Sequence, residues 1–253
     1  MKRWAKFLII ILIISVYYWA ISTIDINLSR IVEGFPKGVI ILKRMFINSI
    51  NLLFSEFFFS MLIEMLKTLF IAYFGTFIAS ILSIPFGFLA ASNFSRFSRI
   101  FKVILNFIRT FPEILLAIIF VSVVGPGPFA GALAIGIHSI GMLGKLYTES
   151  IENIDKGVIE AVDSAGGNFW QKFFFAIIPQ VFVYFSNYSI YRFELAVRSA
   201  TIVGMVGAGG IGTQLILKVQ NRSWEQVGII IIIIIITVAL VDYISHQIRK
   251  RLV

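Results

Sequence analysis

The stretch "VGAGGIG", residues 206–212, decides the fold. Its Gly207, Gly209 and Gly212 satisfy the G-x-G-x-x-G spelling that wraps a dinucleotide pyrophosphate, yet that fingerprint works only after a strand and at the opening of a helix in a βαβ unit. Here it follows a long apolar run with no strand signal. The acidic residue expected about 20 positions later to hold a ribose is also missing, since Glu225 is too near and Asp242 too far. Gly207, Gly209, Gly210 and Gly212 are therefore read as structural glycines, which let the chain turn or let backbones pack closely at a membrane.

Composition agrees with a membrane. Hydrophobic residues make up 58% of the chain and charged residues 14%, with a mean hydropathy of +0.93, which is more apolar surface than a soluble domain of this length can hide. The run "GIIIIIIIITVAL" at 228–240 is the extreme case. A net charge of +9 raises the question of nucleic acid, but the basic residues stand in short groups between apolar runs and form no stripe. They read as membrane-flanking charges, with no nucleic-acid partner. With no cysteine in the chain, disulfides, cysteine metal sites and thiol nucleophiles are excluded.

A bilayer core needs about 20 mainly apolar residues per helix, and on that ruler the expectation is an all-α polytopic protein with about six transmembrane helices. The first span runs from about Trp4 to Ile24, after Lys2 and Arg3, and is read as an uncleaved helix because no small-residue cleavage site follows it. Residues 25–58 mix charges with apolar residues at near-helical spacing and read as an external interfacial segment. The remaining spans are placed at about 61–90, where Pro85 bends the inner end, at 104–124 before the turn "GPGPFAG", and at 131–149, 181–206 and 227–246. Two regions result: 1–58, a helix plus the interfacial segment, and 59–253, a core with an inner loop at 150–180. The inner segments of this layout carry more Lys and Arg than the outer ones, although Arg30, Lys37, Lys43 and Arg44 stand outside. The bias places both termini in the cytoplasm.

Chemistry-bearing residues are few. No phosphate loop exists, because "GMLGKLY" offers Gly144 and Lys145 without the earlier glycine or the hydroxyl. No cofactor is expected on this chain, and any ATP and Mg would be held by a partner. Arg192, Glu194 and Arg198 fall inside the fifth span, where ionisable groups are costly and face a bundle interior or an aqueous path. Glu194 and Arg198 are four apart and can pair on one helix face. A structural ion pair is the equal alternative. His138, beside Ser139, reads as a packing or path-lining group and not a metal ligand. Glu113 and Arg109, at the inner start of the third span, read as a pair near the cytoplasmic gate or, equally, as a solvated interface pair.

Within the inner loop, "EAVDSAG" is followed by "IIP", setting Glu160, Ala161, Gly166 and Pro179 at fixed separations, with Gly167 beside the turn. This pattern resembles the signature loop of ABC importer permeases, with Val162, Ala176 and Ile178 as apolar exchanges. The segments "RTFPEILLAIIF", "GIHSIGMLGKLY" and "YRFELAVRSATIVGMVGAGGIGTQL", within about Arg109 to Leu215, resemble phosphonate importer permeases in particular, and "VGAGGIG" is also similar to methionine importer permeases. The resemblance implies a type I ABC importer transmembrane domain in the bacterial cytoplasmic membrane, with no covalent chemistry of its own. It further implies a cytoplasmic ATPase dimer gripped through a short helix, a glycine turn and a second helix, with Asp155 as helix cap and Phe169 and Trp170 as anchors. An external phosphonate-binding protein and a second permease copy or close relative complete the implied assembly. On that reading Arg198 and Arg192 favour passage of a phosphorus oxyanion. The rivals are a permease for methionine or another small solute and, from a different class, an ion-driven secondary transporter. The latter calls for an inverted repeat that the sequence does not display.

Overall fold

The structure is a computed structural model and describes residues 3–23 and 28–252. Lys2, the first span's end at Ile24 and the 25–27 start of the interfacial segment lie outside these. All regular structure among the described residues is helical: α1 (Arg3–Thr23), α2 (Leu28–Phe46), a 3₁₀ turn (Asn48–Leu52), α3 (Glu56–Ala90), α4 (Ser98–Thr110), α5 (Glu113–Val124), α6 (Pro128–Glu152), α7 (Lys156–Ser164), α8 (Phe169–Lys172), α9 (Ile178–Val203), α10 (Ile211–Gln220) and α11 (Trp224–Leu252). A π turn at Phe173–Ile177 joins α8 to α9, and a second at Gly204–Ala208 follows α9. Among the described residues, five helical stretches are long and apolar enough to cross a membrane, and α4 with α5 makes a sixth if the bent pair is one span.

Three sequence expectations shift. The third span is broken by 81° between α4 and α5. Pro112 causes the break: the residue before a proline is pushed out of the helical region, and Phe111 is extended with ψ 120°. At about 18–20 Å each, α4 and α5 are both short of the ~30 Å core. The spans on either side of the inner loop also run further than expected: α6 continues to Glu152, and after α7 the helical stretch that leads into α9 begins at Phe169, well before Val181. Finally, the boundary expected after residue 58 lies inside α3, whose cap is Ser55; its hydroxyl accepts the Phe58 N–H at 3.3 Å.

The core is built on α3 against α6, with α9 on the same side. Small residues bring the backbones together, as at Gly75, where a methyl group would lie 2.9 Å from the Ala132 carbonyl oxygen, and at Gly87, where it would lie 2.8 Å from Tyr147 Cβ. Such contacts, rather than water exclusion, drive helix association in lipid. Ala72, Ile135, Val197, Ile211, Ile229 and Ile230 form one buried cluster, and Leu143, Tyr147, Ile151, Val181 and Phe185 form another nearer α7. α2 is tied to the bundle, because Arg44 of α2 donates to Glu225 of α11 at 2.8 Å. By contrast, the apolar window of α1 has no buried residue. Its Phe, Ile, Leu and Trp side chains face outward, which suits a lipid-facing helix and not an aqueous one.

Candidate functional site

At one end of the bundle α7 and α8 form a protruding helical elbow. Asp155 caps α7 by accepting the Gly157 N–H at 2.8 Å, and Asn168 forms a reciprocal capping box with Gln171 at the start of α8. Gly166 makes the turn between them with φ +78°, a conformation that a residue with a Cβ adopts only at a cost of roughly 1–2 kcal/mol. The Gly167 N–H bonds the Val162 carbonyl at 2.9 Å, and Lys172 pairs with Asp163 across the elbow at 2.8 Å. No residue of α7 is buried. Glu160, Ala161, Gly166 and Pro179 are exposed, as are Phe169 and Trp170, whose rings pack on each other and on Phe173 and Phe174. The elbow thus offers small residues, the Glu160 carboxylate and two aromatic rings on a shape fixed from within. Pro179 sits just after the π turn, in the first turn of α9, where a missing N–H is tolerated.

Midway along the bundle, the break between α4 and α5 is held by buried charges. Arg192 is 3% exposed; its Nη2 donates to Glu113 and its Nε to the Ser139 hydroxyl at 2.7 Å. His138 Nε2 lies 3.6 Å from the same Glu113 carboxylate, and its Nδ1 is 3.0 Å from the Phe111 carbonyl, a carbonyl that the end of α4 leaves without a helical partner. The expected Glu113–Arg109 pairing is therefore replaced by Glu113–Arg192, across 79 residues. Arg192 is enclosed, with Nε held by Ser139 and Nη2 by Glu113. It pins α9 to the α4–α5 break.

A second network is more open. Glu194 and Arg198 approach to 3.6 Å as the spacing implied, but each has a stronger partner on α11. Arg198 donates to Asp242, and Arg249 donates to Glu194 at 2.8 Å. Arg198 is 45% exposed, which makes it the accessible arginine of the pair singled out from sequence. Asp242 and Arg249 completed this network unannounced, because the sequence contains no spacing that links α9 to α11.

The glycine stretch lies at the opposite end from the elbow. Gly207, Gly209 and Gly210 all have positive φ, and the Gly207 carbonyl accepts the Gly127 N–H at 3.0 Å. The Ile211 N–H bonds Thr68 Oγ1 at 2.8 Å. The segment is a turn locked onto α3 and α6, with no strand before it.

A bundle of membrane-length helices, a protruding elbow of capped helices and charges held within the apolar core define a polytopic helical membrane protein. More particularly, residues 83–253 match the family of binding-protein-dependent transport system inner membrane components, and the chain belongs to that family. The phosphite transport system permease protein PtxC of Stutzerimonas stutzeri is 40% identical over 190 residues, covering 74% of this chain and 69% of that protein. The phosphate-import permease protein PhnE of Mycolicibacterium smegmatis is 40% identical over 190 residues, 74% of this chain but 36% of that longer protein. Among solved structures, the inward-facing MetNI methionine ABC transporter has a TM-score of 0.65 at 19% identity, covering 76% of this chain and 96% of that one. An amino acid ABC transporter solved with histidines has a TM-score of 0.65 at 20% identity, covering 78% and 95%. These two share the fold. The chain is therefore the membrane component of an ABC importer, which works with an ATPase and a substrate-binding protein.

Proposed function

We propose that this chain is the permease of an importer for a phosphorus oxyanion: phosphite, phosphonate, phosphate or a phosphate ester. The observation that carries this reading is the 40% identity, over 74% of the chain, to the permease named for phosphite. On this reading α7 and α8 insert into a groove on a cytoplasmic ATPase dimer, which binds the ATP and Mg. An external binding protein delivers the anion at the end formed by the glycine turn. A second copy of the chain or a close relative encloses the path, and both termini face the cytoplasm, in line with the basic bias of the inner segments.

The test is ATP-dependent uptake into proteoliposomes holding this subunit with its co-encoded ATPase and binding protein, comparing 2-aminoethylphosphonate, phosphite, phosphate and methionine. Uptake of one or more of the phosphorus anions, and loss of it in Gly166→Asp, is the expected result. Asp at φ +78° strains the turn and adds a charge at the docking tip. Methionine uptake with no phosphorus anion carried overturns the substrate, and uptake without any ATPase overturns the mechanism.

Arg198, half-exposed on α9, supports passage of the anion. Arg198→Gln keeps polar reach toward Asp242 and Glu194 but removes the charge, and a charge-assisted bond is worth about 1.5–3 kcal/mol. The expected outcome is uptake reduced about tenfold or more with unchanged co-purification of the ATPase. Normal uptake by the assembled variant removes Arg198 from the path.

A further inference from the structure

Glu152 is the last residue of α6, three positions before the cap of α7, and the family signature does not include it. Its Oε1 accepts three hydrogen bonds, from the Ser92 backbone N–H at 2.7 Å, the Ser92 hydroxyl at 2.6 Å and Lys102 Nζ at 2.8 Å. Next to it, Asn93 Nδ2 donates to the Ile151 carbonyl at 2.8 Å. One carboxylate therefore ties the end of α6 to the corner between α3 and α4, and to α4 itself. A carboxylate with three donors holds a far narrower geometry than an exposed ion pair.

The neighbours on both sides are closely tied to the bundle. Below, the first turn of α7 is clamped to α9, because Gln180 Oε1 accepts the Asp155 N–H at 2.8 Å and Gln180 Nε2 donates to the Asp155 and Ala176 carbonyls. Above, α4 rides on a glycine face of α6: a methyl group on Gly144 would lie 2.6 Å from Leu105, and one on Gly141 would lie 2.9 Å from Ile108. The far end of α4 is the break held by His138, Glu113 and Arg192. Beyond it α5 leads to the turn in which Gly127 bonds Gly207.

We infer that Glu152 is a positioning residue for energy coupling: its bonds to Ser92 and Lys102 make the α3–α4 corner follow α7, so that movement of the docking elbow reaches the α4–α5 break. This rests on the reading that α7 docks on the ATPase. A packed, hydrogen-bonded chain of contacts is the physical form such coupling takes, and only a measurement of coupling establishes it.

The experiment reconstitutes the full importer and measures ATP hydrolysis, with and without binding protein, together with uptake of the four solutes named above. In Glu152→Ala the expected result is that the ATPase still co-purifies and hydrolysis continues, with uptake per ATP falling about tenfold, within the usual range for coupling between sites. Glu152→Gln retains an acceptor for Ser92 and loses only the charge facing Lys102, so it restores most of the ratio. Lys102→Met removes the α4 arm without touching the α6–α3 bonds, and gives an intermediate loss even if Glu152→Ala does not fold. An unchanged ratio in Glu152→Ala and Lys102→Met, or hydrolysis and uptake falling together in strict proportion, overturns the inference. Gly166→Asp separates the two levels. If it couples normally, α7 docking fails and the inference with it; if it uncouples while the Glu152 and Lys102 variants do not, the inference alone fails.

Discussion

Replacing Arg192 by leucine is expected to lower the melting temperature of the detergent-solubilised protein by about 10 °C, and replacing Arg192 and Glu113 together by leucine is expected to return it to within a few degrees of the parent. The single change leaves the Glu113 carboxylate, 13% exposed, without its guanidinium. Removing one partner of a buried pair costs about 3–5 kcal/mol, because the remaining charge stays desolvated. Total stability is only about 5–15 kcal/mol. His138, at 3.6 Å, offers Glu113 a weak substitute, and Ser139 keeps its own bond to the Ile135 carbonyl. Neither restores the bidentate reach that joined α5, α6 and α9.

The double variant separates charge burial from packing. Two apolar side chains of similar length remove the desolvation cost together with the attraction, and such exchanges are often neutral or stabilising. If the double variant melts as low as the single one, the pair acts through its shape and not its charge balance. If the single variant melts like the parent, the cluster does not hold the break at all. A recovered double variant also allows a functional reading. Normal stability with lost uptake would mean that transport needs the charges of Arg192 and Glu113 themselves and not only the packing they support.

Long apolar runs made the spans legible, because hydropathy reports length and lipid contact directly. They did not report bends. "IRTFPEI" was read within one span although its Phe-Pro step carries the signal that ends α4, and the basic residues Arg99, Lys102 and Arg109 mark α4 as less apolar than its neighbours. The elbow was legible down to its cap, since Asp155, Gly166 and the proline spacing are local features whose chemistry does not depend on distant contacts. Ion pairing was legible only within a helix turn: the Glu194–Arg198 pair forms at 3.6 Å, while the Glu113–Arg109 pair does not. Sequence spacing proposes partners only within a helix turn or so, hence Arg109 for Glu113 and Arg198 for Glu194, whereas packing supplied Arg192 and Arg249 from 79 and 55 residues away. Glu152 escaped notice for the same reason, since its partners Ser92 and Lys102 are 60 and 50 residues off.

Gly212→Ala is expected to abolish uptake and to lower the melting temperature by about 10 °C or more, although it adds a single methyl group. A Cβ on Gly212 would sit 2.0 Å from the Thr201 carbonyl oxygen and 3.0 Å from both Gly204 Cα and Met205 N. All three neighbours are backbone atoms, so no rotamer change relieves the overlap. Either the last turn of α9 or the start of α10 must move by more than an ångström. That movement strains the bonds that fix the turn, from Thr213 Oγ1 to the Gly204 carbonyl at 2.8 Å and from the Ile211 N–H to Thr68 at 2.8 Å. Gly34→Ala and Gly38→Ala in α2 are the controls, because a Cβ at either meets nothing within 4 Å and alanine favours a helix over glycine by about 1 kcal/mol. They should melt at or slightly above the parent temperature and transport normally. A Gly212→Ala protein that melts and transports like these controls would show that the junction of α9 and α10 is loosely packed, and that the "VGAGGIG" glycines serve the conformation of the turn alone. Loss confined to uptake, with melting unchanged, would instead place the close approach in a transport state that the folded protein visits only during the cycle.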